Sequence, residues 1–285
     1  PSSAASDVYK RQVVGNLDDL YRRVLYLKSG SNFRDFGDYP TLENKRIQKG
    51  IFFRSASLNS IVDKEDLNYL KNFKFKTVID LRSTEEQQLQ PDTWVLEQRS
   101  INYQFHEYSF LKIMEAINTK KKVRRESYGG SELYYRVMHK IFIPQLKLFF
   151  KEILNEKTPI ILHCSGGQDR TGFVAAIMLK LFNVSNDLIY EDYLLSTDLR
   201  NPELEFIGID LHKEAERNAF AKFMVTYVSD NPRDNVKPLR NKSGVPFVKI
   251  ALDEILSVYG SVESYVINEI GLSQKDVSHL RHLYT

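Results

Sequence analysis

The segment His163-Cys164-Ser165-Gly166-Gly167-Gln168-Asp169-Arg170-Thr171-Gly172 gathers a thiol, paired glycines, a carboxylate and a guanidinium in one short stretch. A cysteine followed six positions later by arginine is weak on its own, and context decides its meaning. Glycine lets the backbone turn sharply, so that successive N–H groups of Ser165, Gly166, Gly167 and Gln168 can face one concavity. A helix beginning at Thr171 would aim its positive end at the same point. Arg170 adds a planar fork that matches two oxygens of a phosphoryl group, as a lysine cannot. A thiol at a helix N-terminus beside an arginine has its pKa lowered from about 8.5 to about 3.5–7.5, which makes it a nucleophile at neutral pH. The chemistry this spells is attack of the Cys164 thiolate on phosphorus, giving a phosphocysteine that water then cleaves. The alternative of a nucleotide-binding glycine loop fails for want of the Gly-Lys-Ser/Thr ending.

Supporting roles follow from position. Thr171 is expected to donate its hydroxyl to the sulfur, and His163 to brace the loop from behind. Asp169 is the first candidate for the general acid that protonates the leaving oxygen. Glu107, just past a neighbouring strand, is its rival, because Arg170 beside Asp169 favours the ionised carboxylate. Asp80 and Arg82 stand at the C-terminal end of another strand, where open α/β sheets bind ligands. Two readings stay open for them: direct contact with the substrate, or an ion pair supporting the loop.

These residues need elements to hold them. Pro159-Ile160-Ile161-Leu162-His163 reads as a central buried strand and residues 171–182 as an apolar helix, which puts the loop at a strand-to-helix junction. Ile51-Phe52-Phe53, residues 77–81 and the alternating Ile101, Tyr103 and Phe105 read as further strands. Asp63 is placed to cap a helix whose buried face carries Leu67 and Leu70. Residues 131–155 have a helical pattern that Pro144 should kink or divide. Beyond Ser185 the pattern is helical throughout, over 187–196, 202–228, 245–259, 261–270 and 274–283. Strands alternating with helices predict an α/β fold with a helical C-terminal part.

Bulk properties fit that picture. The 285 residues carry 42% hydrophobic and 27% charged side chains, an ordinary globular balance. A net charge of +3 gives no argument for nucleic acid, and no apolar run approaches the roughly 20 residues of a membrane span. One cysteine excludes an internal disulfide, a four-thiolate metal site and a Cys-x-x-Cys redox pair, and suits a reducing, cytoplasmic setting, with secretion left open. Residues 1–12, rich in Ser and Ala and starting without Met, are read as a non-native tail, and residues 13–285 as one domain.

The loop resembles that of the bacterial-type tyrosine phosphatases with the pattern His-Cys-x-x-Gly-Lys-Asp-Arg-Thr-Gly. Further blocks resemble the same family: Asn32-Phe33-Arg34-Asp35-Phe36-Gly37, Phe53-Arg54-Ser55-Ala56-Ser57-Leu58, Val78-Ile79-Asp80-Leu81-Arg82-Ser83, Asp192-Tyr193-Leu194-Leu195-Ser196, and Tyr259-Gly260-Ser261 with Tyr265. The resemblance covers residues 27–283. It implies a parallel-centred sheet flanked by helices, Cys164 as nucleophile, Arg170 as phosphate clamp, Asp169 as loop acid, and neither metal nor organic cofactor. The implied substrate is a phosphorylated protein or peptide, with phosphotyrosine-only and dual specificity both open. Gln168 stands where the family usually has Lys, a position linked there to highly anionic substrates, so a phosphoinositide phosphatase is the weaker alternative. A phosphotyrosine-binding pseudophosphatase is disfavoured by the intact Cys164, Asp169 and Arg170. The basic run Lys120-Lys121-Lys122-Val123-Arg124-Arg125 is either a solvated charge run or a basic mouth attracting acidic peptides or acidic phospholipid.

Overall fold

The computed structural model describes residues 20–115, 117, 130–227 and 238–285. The expected tail and the basic run fall outside them.

The sheet has five strands in the order β1-β2-β5-β3-β4. They are β1 (Arg34–Asp35), β2 (Phe52–Ser55), β3 (Thr77–Asp80), β4 (Asn102–Phe105) and β5 (Ile160–His163). β2, β5, β3 and β4 run parallel, and only the short edge strand β1 is antiparallel to its neighbour. The predicted run at 159–163 is therefore the central strand. Its residues are buried on both faces, which explains why it reads as continuous apolar sequence rather than alternation. In register, Ser55, Asp80 and His163 end three neighbouring strands side by side. The loop that follows β5 thus opens at the carboxyl edge of the sheet, between two strands that also end in polar residues.

Local chemistry sets the helix limits. α1 (Lys64–Lys71) is capped by Asp63, whose side chain accepts from the Glu65 and Asp66 N–H groups, with Leu70 buried as expected. α2 (Thr84–Leu89) opens with a reciprocal Ser83–Glu86 capping box, and the short α3 (Thr93–Leu96) follows. The 131–155 pattern is divided at Phe142, as Pro144 requires, into α4 (Gly130–Ile141) and α5 (Ile143–Leu154). α6 (Asp169–Leu181) is buried along nearly its whole length, and α7 (Asn186–Leu199) packs beside it.

The helical pattern over 202–228 is realised only in short pieces. A short 3₁₀ turn (Pro202–Leu204), α8 (Leu211–Glu214) and α9 (Ala219–Tyr227) make it up. Competing caps break it: the Asp210 side chain accepts from Lys213 N–H and the Asn218 side chain from Ala221 N–H, and Gly208 turns with φ +74°. α10 (Phe247–Tyr259), α11 (Val262–Tyr265), a π turn (Val266–Ile270) and α12 (Gln274–Tyr284) complete the helical C-terminal part. The main core lies on the sheet face covered by α5, α6, α10 and α12, with Phe52, Ile79 and Leu162 facing it. A smaller core of Phe33, Phe53, Leu70, Phe75 and Val78 fills the other face.

Candidate active site

Cys164 leaves the end of β5 almost wholly buried, 2% exposed. The loop after it is shaped from outside. Ser165 O accepts from Ser57 N–H at 2.8 Å, Gly166 O from the Asn32 amide at 3.1 Å, and Gly167 O from Arg54 Nη2 at 2.9 Å. In a trans peptide the N–H points opposite the C=O, so three carbonyls anchored outward turn the N–H groups of Gly166, Gly167 and Gln168 toward the other side. That gives the concavity expected from the glycines, and neighbours impose it. Gly167 is at φ +65°, and a Cβ there would lie 2.5 Å from Ser55 O and 2.6 Å from Ala56 N, so only glycine fits.

The anchors have their own support. Arg54 is fully buried beside Arg34, and both bond Asp192 of α7: Arg54 Nη1 to Oδ2 at 2.5 Å, and Arg34 Nε to Oδ1 at 2.9 Å. Burial alone would raise the Asp192 carboxyl, but the guanidinium pair overcomes it and brings it down to about 2. Three of the separated sequence blocks thus meet in one ion network beneath the loop.

Arg170 lies in the first turn of α6, its side chain 14% exposed. Glu86 grips it bidentately, from Nη1 at 2.6 Å and Nη2 at 2.7 Å, and Tyr108 Oη accepts from Nη1 at 3.0 Å. Ser165 Oγ donates to the same Glu86 carboxylate. Burial pushes the Glu86 carboxyl up, yet Arg170 and these donors hold it below the usual range, so a buried carboxylate fixes the plane of the fork. Neither Glu86 nor Tyr108 is evident from the loop. The Ser83-x-x-Glu86 spacing marks a helix start, but nothing in it points to Arg170.

Asp169 accepts a hydrogen bond from Tyr135 Oη at 2.5 Å, and Tyr135 shares a 2.6 Å contact with Tyr193 Oη. Glu107 is exposed in the loop past β4. Its neighbour Tyr108, not Glu107, turns in to Arg170.

Asp80 and Arg82 lie together in a buried cluster beneath the loop. Arg82 is fully buried, bonds Asp80 through Nε and Nη2, and also reaches Asp92, Gln90 O and Ser57 Oγ. Since Ser57 N–H holds Ser165 O, this cluster braces the loop rather than lining its mouth. His163 is buried against it, Nε2 lying 3.3 Å from Asp92 and 3.6 Å from Asp80. His163, Asp80 and Asp92 converge with the spacing of a metal-binding trio, but the Arg82 guanidinium already sits on both carboxylates, which speaks against a cation there. One expectation is corrected. Thr171 Oγ1 has no hydrogen-bond partner among the described residues, so the expected bond to the sulfur is not made: the side chain is buried in the first turn of α6. The Gln168 side chain turns away from the cradle, bonding Ser196 O at 3.3 Å and accepting from Arg200 at 2.7 Å, which leaves its backbone N–H for the loop.

A strand–loop–helix cradle joining a buried thiol to a clamped arginine, at the carboxyl edge of a parallel sheet, defines a cysteine-dependent phosphatase. The model of the tyrosine phosphatase family matches residues 25–285, and the chain belongs to that family. It is 24% identical over 281 residues to the triple specificity protein phosphatase PtpB of Mycobacterium tuberculosis, covering 88% of this chain and 95% of that one. It is 26% identical over 245 residues to a tyrosine-protein phosphatase of Nostoc commune, covering 85% and 76%. Among solved structures, the Siw14 catalytic core aligns over 71% of this chain and 96% of its own with a TM-score of 0.36 and 19% identity. No described helix is long and apolar enough to cross a membrane.

Proposed function

We propose that this protein-tyrosine phosphatase works through a phosphocysteine on Cys164, with Arg170 as clamp and Asp169 as acid and base. The Cys164 sulfur attacks phosphorus while the N–H groups of the loop and the Arg170 fork take the equatorial oxygens, whose charge grows in the transition state. The P–O bond to the tyrosine breaks, and Asp169 gives the departing oxygen its proton. Asp169 then accepts a proton from water as that water attacks phosphorus, the P–S bond breaks, and phosphate leaves. Tyr135 positions Asp169, and Glu86 with Tyr108 positions Arg170.

The observation carrying this reading is the Glu86–Arg170 clamp beside a loop that has three carbonyls, of Ser165, Gly166 and Gly167, anchored outward. It favours a bound dianion over a buried structural ion pair, because the cradle gathers N–H donors that no carboxylate among the described residues receives. The name of the Nostoc commune relative supports phosphotyrosine, and that of the mycobacterial relative supports dual specificity as the wider reading. Acidic phospholipid is the weaker substrate, since Gln168 brings no charge to the loop, and a lone nucleophilic thiol suits a reducing, cytoplasmic setting.

The test is a panel of phosphotyrosine, phosphoserine and phosphothreonine peptides with phosphoinositide vesicles, run with EDTA and with Cys164→Ser. Turnover of phosphotyrosine peptides that survives EDTA and vanishes in Cys164→Ser is expected. Activity retained in that variant, or lost in EDTA, would overturn the mechanism.

A further inference from the structure

Arg200, the C-cap of α7, plays no part in the chemistry above, yet its guanidinium lies over the loop. A Cβ placed on Gly166 would stand 3.1 Å from Arg200 Nε and 3.3 Å from Cζ. Nη1 donates to Gln168 Oε1 at 2.7 Å. The remaining edge is occupied by a carboxylate: Glu205 Oε1 lies 2.5 Å from Nε and Oε2 lies 2.8 Å from Nη2.

The backbone around Arg200 is pinned on both sides. Leu199 O accepts from Asn32 N–H at 3.0 Å, and Asn201 N–H donates to Ser31 Oγ at 2.8 Å. Asn32 is the residue whose side chain holds Gly166 O, so Arg200 and the cradle share one rigid mount. Glu205 is different. It ends the short turn after Asn201, next to Phe206, which sits at φ +58°. A narrow cleft runs from Ser165 past Ser57 and Asn59 to Glu205. The pair is only 15% and 17% exposed, so the carboxylate is held close without being sealed in. Both Cys164 and Asp169 act electrostatically on Arg200, which places it within the field of the reacting groups.

Resting on the phosphatase reading, we propose that Arg200 is a specificity-determining residue that binds an acidic side chain adjoining the phosphotyrosine of a peptide substrate, Glu205 standing in for that side chain until substrate arrives. The bidentate geometry of the Arg200–Glu205 pair is that of a peptide carboxylate on a guanidinium fork. A substrate carboxylate exchanges with Glu205 at little cost, because one Arg–carboxylate pair replaces another and Glu205 gains water at the open edge of the cleft.

The test compares a short phosphotyrosine peptide flanked by Glu with the same peptide flanked by Gln. In the wild type kcat/KM should favour the Glu peptide by about tenfold, the scale of one charge-assisted pair at a half-open site. Arg200→Met should bring the ratio to about one, Arg200→Lys should restore part of it, and Glu205→Gln should raise it by removing the competitor. Calorimetric binding of both peptides to Cys164→Ser protein gives the same ratio without turnover. A protein that binds with the acidic preference but hydrolyses neither peptide would therefore sink the phosphatase reading and leave this one standing. Equal kcat/KM for the two peptides in the wild type, or an undiminished ratio in Arg200→Met, would overturn the proposal. So would an Arg200→Met defect confined to phosphoinositide vesicles, which would assign the residue to a lipid headgroup instead.

Discussion

Glu86 does for Arg170 what no residue of the loop does: it holds the fork in one plane from a fully buried position. A guanidinium that swings by an ångström loses one of its two hydrogen bonds to the phosphoryl group, and misplacement of that size can cost about a hundredfold in rate. Glu86→Gln is therefore expected to lower kcat about 10- to 100-fold with a smaller change in KM, since the clamp tightens in the transition state. A steady-state comparison checks this; a variant with raised KM and unchanged kcat would reduce Glu86 to a structural brace. The acid is tested at the same scale. Asp169→Asn should steepen the dependence of rate on leaving-group pKa, slowing poor leaving groups far more than p-nitrophenyl phosphate, while Glu107→Gln should leave that slope alone. Glu107 is exposed, whereas Asp169 is oriented by Tyr135. A slope altered by Glu107→Gln and not by Asp169→Asn would move the acid to the loop after β4.

The loop is an element built by its neighbours, and two substitutions probe that. Gly167→Ala places a methyl group against the Ser55–Ala56 peptide at a positive φ, so the strand or the loop must shift. The strain is on the order of 1–3 kcal/mol, and turnover should fall much further than stability, because the N–H directions change. Thermal melting and kcat measured together check this, and near-normal turnover would contradict it. Asp192 joins α7 to β1 and β2 through Arg34 and Arg54. Its carboxyl titrates near 2 in the folded chain against 3.8 when unfolded. The folded state thus binds fewer protons, and Asp192 contributes about 2 kcal/mol that is complete above the unfolded value and lost as pH falls through the folded one. Stability should therefore fall with pH below about 4. Asp192→Asn should remove this pH dependence and, by leaving two buried guanidinium groups underpaired, cost about 3–5 kcal/mol at neutral pH. A variant that melts like the wild type at both pH values would contradict it.

At the scale of the whole molecule, what was legible in the sequence is what the chain encodes locally. The apolar run ending at His163, the glycines and the apolar helix after them are contiguous, so the cradle and its place on a central strand could be read directly. Pro144 and Asp63 act on their immediate neighbours, and both did as expected. The partners of the catalytic groups were hidden because only folding brings them near: Glu86 is 84 positions from Arg170, Tyr135 is 34 from Asp169, and Arg200 is 32 from Gln168. Polar residues at helix starts such as Glu86 look like ordinary capping until the sheet places them under an arginine. The region over 202–228 misled for the opposite reason, since its periodicity is real but Asp210 and Asn218 cap it into short pieces. The direction of the Gln168 side chain, toward Arg200, was hidden for the same reason as the distant partners.

All of this serves one claim, that Cys164 becomes phosphorylated during turnover. The direct measurement is rapid acid quenching of the enzyme with a phosphotyrosine peptide in excess, followed by peptide mass mapping. A phosphoryl group on the Cys164 peptide should appear within one turnover and decay as substrate is exhausted. It should accumulate in Asp169→Asn, where hydrolysis of the intermediate lacks its base, and be absent when Cys164 is replaced by Ser. Steady hydrolysis with no adduct on Cys164 in either protein, or a phosphoryl group found on another residue, would contradict the account.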